Sequence, residues 1–264
     1  MTIILQELRA SMAFVVRNFH LVKRYAAWES VFLVYNVVNV LTIGYIGYGD
    51  SDKILFLIVG ALLWGFLSVL FHDVAEAVAW ERWEGTIEYT FMAPIHRLTY
   101  LFGQCIFAVL YAIVRSIIIM ALVAIFFNIK FEQANIISTL VIIIFASFSF
   151  LGMGLIAAVF PLLSPERGAQ ATHIFQAVIL LISGIYYDVS VLPNWLRPFS
   201  MISPGTYTLR AIRRALLENA SIADLWGDIL ILLIIGMLLI PTGMWTFSVA
   251  ERYAKKTGKL KRSG

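Results

Sequence analysis

The stretch richest in groups that could do chemistry runs Glu81-Arg82-Trp83-Glu84-Gly85-Thr86-Ile87-Glu88-Tyr89 and on to Pro94, following His72, Asp73 and Glu76. A helix over 74–91 would set Glu81, Glu84 and Glu88 on one face at i, i+3 and i+7. Gly85 would thin that helix where a second backbone can approach, and Pro94 would end it. Chemically this is an acidic, aromatic-flanked surface that can be offered to a protein partner. A second reading makes 74–94 a solvated connector whose charges hold it out of lipid.

Little else in the chain points to catalysis. No G-x-x-x-x-G-K-[ST] loop is present to cradle nucleotide phosphates, and no G-x-S-x-G elbow to carry a serine nucleophile. His20, His72, His96 and His173 are scattered without paired metal-ligand spacing. Asp50-Ser51-Asp52 has the look of a metal-binding D-x-D but reads as a turn, since Gly49, Asp and Ser favour one. The expectation is therefore no catalytic residue, no metal and no cofactor in this chain. Five further polar residues are candidates for a pathway or gate. Arg115 interrupts an apolar run, where a charge costs about 2.5–3.5 kcal/mol and usually faces a bundle interior. It can line a pathway, or pair with an acid such as Glu29 or Asp188. Asn36 and Asn39 lie about one turn apart, suited to interhelical hydrogen bonds or a polar wall. Arg210 and Arg213, beside Arg214, can bind lipid phosphates, pair with Glu218, or grip a substrate head group.

The elements that must position these groups are apolar. The 264 residues are 61% hydrophobic and 14% charged, against about 25% charged in a soluble domain. Mean hydropathy is +0.86. A hydrocarbon core of ~30 Å needs roughly 20 apolar residues per helical crossing. Six such runs are expected as spans, over 28–48, 54–71, 101–127, 136–163, 171–187 and 229–249. Each must be helical, because unpaired backbone groups are costly in hydrocarbon. The fold class is an all-α integral membrane protein of a single transmembrane domain, 1–264.

Residues 2–25 read as an amphipathic interface helix, with Leu5, Leu8, Met12, Val15, Phe19 and Val22 opposed by Gln6, Arg9, Arg17, His20 and Arg24. Residues 190–217 carry charge and three prolines, and read as short external helices that dip into or lie on the outer leaflet. With the N-terminus inside, thirteen Lys and Arg fall on the inner side and six on the outer, which puts both termini in the cytoplasm. The net charge of +4 is thereby explained by lipid rather than nucleic acid. The lone Cys105 excludes an internal disulfide, and no removable signal peptide is expected.

The run Glu84-Gly85-Thr86, then Glu88 and Pro94 before a long apolar span, resembles the cytoplasmic loop of type-2 ABC transporter permeases. Leu192-Pro193, Trp195-Leu196, then Pro204 and a helix with Arg210 and Arg213, is similar to the region before their last span. The resemblance, closest to the drug and antibiotic-resistance branch, extends over essentially the whole chain. It implies a dimer of six-span subunits, each docked on a nucleotide-binding ABC ATPase subunit through a cytoplasmic coupling helix. Glu81, Arg82, Glu84, Gly85, Thr86, Glu88 and Pro94 would carry that coupling, and ATP and Mg would bind the partner ATPase. It further implies an exporter of a hydrophobic or amphipathic drug, antibiotic or lipid-like molecule in the cell membrane. Export of a lipid-linked polysaccharide is the alternative within the class, for which Tyr35, Tyr45, Tyr48 and Trp64 would be the channel aromatics. Outside it stand an integral membrane enzyme acting on lipid head groups through Asp50, Asp52 and Asp73, and a non-transporting anchor that recruits a soluble partner.

Overall fold

An apolar chain in hydrocarbon has to satisfy its peptide groups internally, and every regular element here is helical. The computed structural model describes residues 2–92, 97–129 and 134–258, and among these there is no strand. Pro94, His96, Lys130 and the basic tail residues Lys259, Lys261 and Arg262 lie outside the described residues. In chain order the helices are α1 (Thr2–Arg24), α2 (Ala26–Ile46), α3 (Ser51–Glu84), α4 (Ile87–Met92), α5 (Arg97–Phe127), α6 (Ile136–Ala157), α7 (Val159–Leu163), α8 (Pro165–Ser183), α9 (Arg197–Ser200), α10 (Pro204–Leu217) and α11 (Trp226–Lys256).

Five of the described helical segments are long and apolar enough to cross a membrane: α2, α3, α5, α6 running on through α7, and α11. The chain is a multi-pass membrane protein. The sixth expected crossing, 171–187, falls differently. Extended backbone at Ser164 and Pro165 at the first helical position start α8 earlier, bringing Glu166 and Arg167 into its first turn. Gly184, at φ +67°, ends it earlier. What remains is 19 residues, and by length and apolarity α8 is not among the five.

The bundle is organised around α3, whose Leu67, Leu70, Phe71, Val74 and Val78 are fully enclosed by α5, α6, α8 and α10. The tightest seam joins α6 to α11. Without hydrophobic drive between helices in lipid, close backbone approach and interhelical hydrogen bonds must supply the attraction. Gly152, Gly236 and Gly243 permit that approach, and the Ser149 hydroxyl donates across it to the Leu232 carbonyl at 2.7 Å. A Cβ on Gly152 would lie 2.6 Å from the Leu239 Cβ and 2.8 Å from that residue's carbonyl carbon.

At one end of the bundle, α10 buries Leu209, Ala211, Ile212 and Ala215 against it, while the Asn135 N–H donates to the Ala215 carbonyl at 2.9 Å. Along the side, α1 packs on α5 through small and polar residues and the edge-on aromatic pairs Phe14–Tyr100 and Phe19–Phe107. Ser11 donates to the Thr99 carbonyl at 3.0 Å, Asn18 donates to Gln104 at 2.5 Å, and Thr99 donates to Glu7. This alters the expected α1 pattern. Val15 joins the buried seam, whereas Leu5, Leu8, Met12 and Val16 form the outward apolar stripe, with Phe19 at its edge against Phe107. Gly103 of α5 explains the choice, since a Cβ there would sit 2.7 Å from the Ser11 carbonyl oxygen.

Gly152→Val should lower stability in detergent by about 1–3 kcal/mol or more through overpacking of the seam. Gly227→Ala, with open space around its Cβ, should be neutral or slightly stabilising. Thermal unfolding of the two purified variants compares them directly; equal melting temperatures would contradict the packing described.

Candidate functional site

The terminus of α3 shows what sets the acidic segment. The helix ends at Gly85, whose φ of +72° is a left-handed cap: Gly85 N–H donates to Arg82 and Thr86 N–H to Glu81 at 2.9 Å. The chain then turns into the six-residue α4. The single helix over 74–91 is therefore broken in two, because Gly85 takes the one backbone conformation that stops an α-helix at low cost.

That break divides the expected carboxylate face. Glu81 and Arg82 turn inward and are buried, while Glu84 and Glu88 face outward beside Trp83, Tyr89 and Met92. Glu81 accepts from Arg17 of α1 at 3.0 Å, with the Glu81 side chain 7% exposed and that of Arg17 41%. Its second carboxylate oxygen and the Arg82 Nε have no hydrogen-bond partner among the described residues. Thr86 is half-buried, its hydroxyl turned back on the Glu81 carbonyl at 3.4 Å. Glu81 and Arg82 thus belong to the joint between α1 and α3. The surface offered outward is Trp83, Glu84, Glu88, Tyr89 and Met92.

Deeper in the bundle, the structure brings together two of the expected pathway residues. Asn36 of α2 and Arg115 of α5 line one small depression of about 10 Å³, with Ser116, Val40, Leu62 and Ile119. Asn39 stays on the exposed face of α2. Arg115 pairs with neither expected acid directly. It donates to the Tyr111 hydroxyl at 3.3 Å, and that hydroxyl donates in turn to Glu29. Tyr111 was hidden in the apolar run, although its i,i+4 spacing from Arg115 is a usable signal. Asp188 is instead engaged by Ser190, whose hydroxyl first and N–H second (2.7 Å) hold its carboxyl below the usual range. On α3 and α8, His72 and His173 stack at 5.2 Å between ring centroids, with Glu76 at 3.6 Å from His72.

The two α10 arginines are bound into the framework. Arg210 pairs with Asp228 at the start of α11. Arg213 donates to the Phe56 and Ile185 carbonyls at 3.1 and 2.9 Å and lies 3.3 Å from the Phe56 ring centroid. Burial lowers its guanidinium to about 10, and Asp188 works against that shift. Arg213 thus stays charged at neutral pH, clamping α10 to the start of α3 and the end of α8. The carboxylates of the membrane-enzyme reading do not meet. Asp50 caps α3, accepting from Lys53, and Asp73 sits 23 residues along the same helix, about 35 Å away. Among the described residues, no group of three or more His, Cys, Asp or Glu could hold a metal ion.

Residues 10–217 match the sequence profile of a family described as ABC-2 type transporter. The chain is 24% identical over 160 residues to the "Probable multidrug ABC transporter permease YbhR" of Escherichia coli strain K12, and equally to its counterpart in strain O157:H7. The aligned part is 60% of this chain and 43% of each relative, so the chain spans less than half the length of the curated relatives it matches.

Arg17→Ala should destabilise the protein by roughly 1–3 kcal/mol, since it strands a buried carboxylate. Adding Glu81→Gln should recover much of that loss, because the amide needs no counter-charge. A double-mutant cycle of thermal unfolding measures the coupling; strictly additive effects would show that the pair does no stabilising work.

Proposed function

The chain belongs to the ABC-2 type transporter family, and from that premise we propose that it is the permease of an exporter whose ATPase is a separate subunit. A transmembrane transporter subunit, rather than an enzyme, is what the family itself supplies. ATP and Mg would bind the partner, since no phosphate-cradling loop occurs in this sequence.

The observation that carries the reading is the exposed patch Trp83, Glu84, Glu88, Tyr89 and Met92, held at the end of the 34-residue α3 by the Gly85 turn. Aromatic residues beside acids, left uncovered on a fixed turn, suit a protein contact better than a solvated connector. Gly85 and Thr86 shape the turn, while Glu81 and Arg82 tie it to α1 through Arg17. ATPase closure would press on this patch and tilt α3, with nucleotide on another chain biasing a two-state permease.

The excess of Lys and Arg near the patch and both termini supports a cytoplasmic location for all three. On this reading α8 supplies the sixth crossing, α1 lies in the inner interface with its apolar stripe in lipid, and α9 and α10 are external re-entrant helices. A second permease subunit would complete the pathway. Support comes from α2, only 11% buried, and from exposed Ile174, Val178 and Leu181 on α8. The depression with Asn36 and Arg115 opens beside α2, so that face is the proposed route for an amphipathic drug or lipid-like substrate.

Permease and ATPase should be co-reconstituted in liposomes and ATP-driven efflux of a fluorescent amphiphile followed. Glu84→Ala with Glu88→Ala, or Tyr89→Ala, should cut transport about tenfold or more while leaving the permease folded. Full transport by all of these variants would refute the coupling role.

A further inference from the structure

We propose that His72 of α3 and His173 of α8 form a proton-operated clasp between the two helices. The stacked rings hold the first half of α8 on α3 with at most one proton between them, and part when a second is added. The device acts on helix packing and does not depend on which substrate is carried.

Three contacts seat that half of α8. Gly168 lies against Pro161 of α7, and Phe175 packs on Phe71 at 5.2 Å between ring centroids. His173 stacks on His72, also at 5.2 Å, with the ring planes 24° apart. Of the three, the imidazole pair is the one that can change charge between about pH 5 and 8. The His72 Nδ1 is buried without a hydrogen-bond partner among the described residues, while its Nε2 lies 3.6 Å from Glu76 one turn further along α3. His173 is exposed, so protons reach the pair from its side.

The surrounding charges decide how many protons the pair can hold. Two neutral imidazoles stack as other aromatic rings do. One proton on His72 is answered by Glu76, and the second ring can face that cation. Another proton would set two like charges one stacking distance apart, with Arg115 of α5 already bearing on His72 through space. Asp73, the next acid on α3, is set against Arg115. No other neighbour supplies an anion to offset the second charge. α6 and α7 carry no titratable side chain, and Glu29 of α2 is engaged by Tyr111. Arg210, Arg213 and Arg214 belong to α10, whose Arg213 reaches the start of α3, and Glu88 and Tyr89 of α4 lie beyond the Gly85 turn. Glu166 and Arg167 share the first turn of α8 with opposite signs. The parted state therefore binds more protons than the stacked one. Stacking is favoured at higher pH and is lost as pH falls through the ordinary histidine range, about 6.5.

The purified full chain in neutral detergent, labelled with nitrogen-15 in its four histidines, gives the titration directly by NMR. His72 and His173 should protonate in two linked steps, and His173→Phe should raise the proton affinity of His72 about threefold or more. Separation of the helices is read as the distance between nitroxides at Trp80→Cys and Gln170→Cys in a Cys105→Ala background. That distance should lengthen between about pH 7.5 and about pH 5.5, and should stay unchanged when His173→Phe is added. Independent single-step titration of the two rings would overturn the clasp. So would an unmoved distance with both histidines present, or an equal lengthening in the His173→Phe chain. Should that variant not fold, His72→Phe gives the same comparison with His173 as the ring observed.

Discussion

Hydrocarbon offers a peptide group no hydrogen bond, and nearly every feature of this protein answers that one restriction. It forces the spans to be helical, and it changes what holds them together. Between helices, apolar contact gains nothing over lipid, so association rests on backbone proximity and polar groups that would otherwise be stranded. The α6–α11 seam meets the condition with Gly152, Gly236, Gly243 and the Ser149 bond to Leu232. The α1–α5 seam meets it with Ser11, Asn18 and Gly103. In α1, Leu5, Leu8, Met12 and Val16 form the stripe left facing outward, while Phe14 and Phe19 pack edge-on against Tyr100 and Phe107 of α5.

The same restriction explains how charges are placed. Three buried or half-buried acids are tied across elements: Glu81 to Arg17, Asp228 to Arg210, Glu29 through Tyr111 to Arg115. Arg213 is satisfied instead by main-chain carbonyls from α3 and the end of α8. These ties join α1 to α3, α10 to α11, and α2 to α5. Movement at the Gly85 turn therefore reaches α1 as well as the span above it.

Membrane character and family were legible because both rest on local signals: long apolar runs, and short motifs around Gly85 and Trp195. The position of the Gly85 break was visible, but its effect on Glu81 was not. Whether a carboxylate on a helix faces out depends on what lies against it, and Arg17 is 64 residues away in sequence. Asn36 and Asn39 looked equivalent as neighbours on α2. A helix touched on so little of its surface sends residues three apart to different surroundings, and only Asn36 reaches Arg115's depression. The stripe on α1 was misread at Val15 and Val16 because one turn of helix offers two plausible registers, and Gly103 on another element decides between them. At α8, Gly184 and Pro165 were both in plain view. Which end of an apolar run they trim follows only from the turn that packs Gly168 against Pro161.

The helices are also unequal in a way that concerns the solvent more than the protein. On the proposed reading that makes α8 the sixth crossing, it has 19 residues, a rise of about 28 Å, whereas α3 has 34 and rises about 51 Å. A sheet of lipid cannot match both at one thickness, so it must pinch near α8 while α3 leans or protrudes. Any rearrangement that tilts α3 changes that elastic strain. Acyl-chain length thereby becomes a thermodynamic variable of the protein's conformational equilibrium, acting without a binding site.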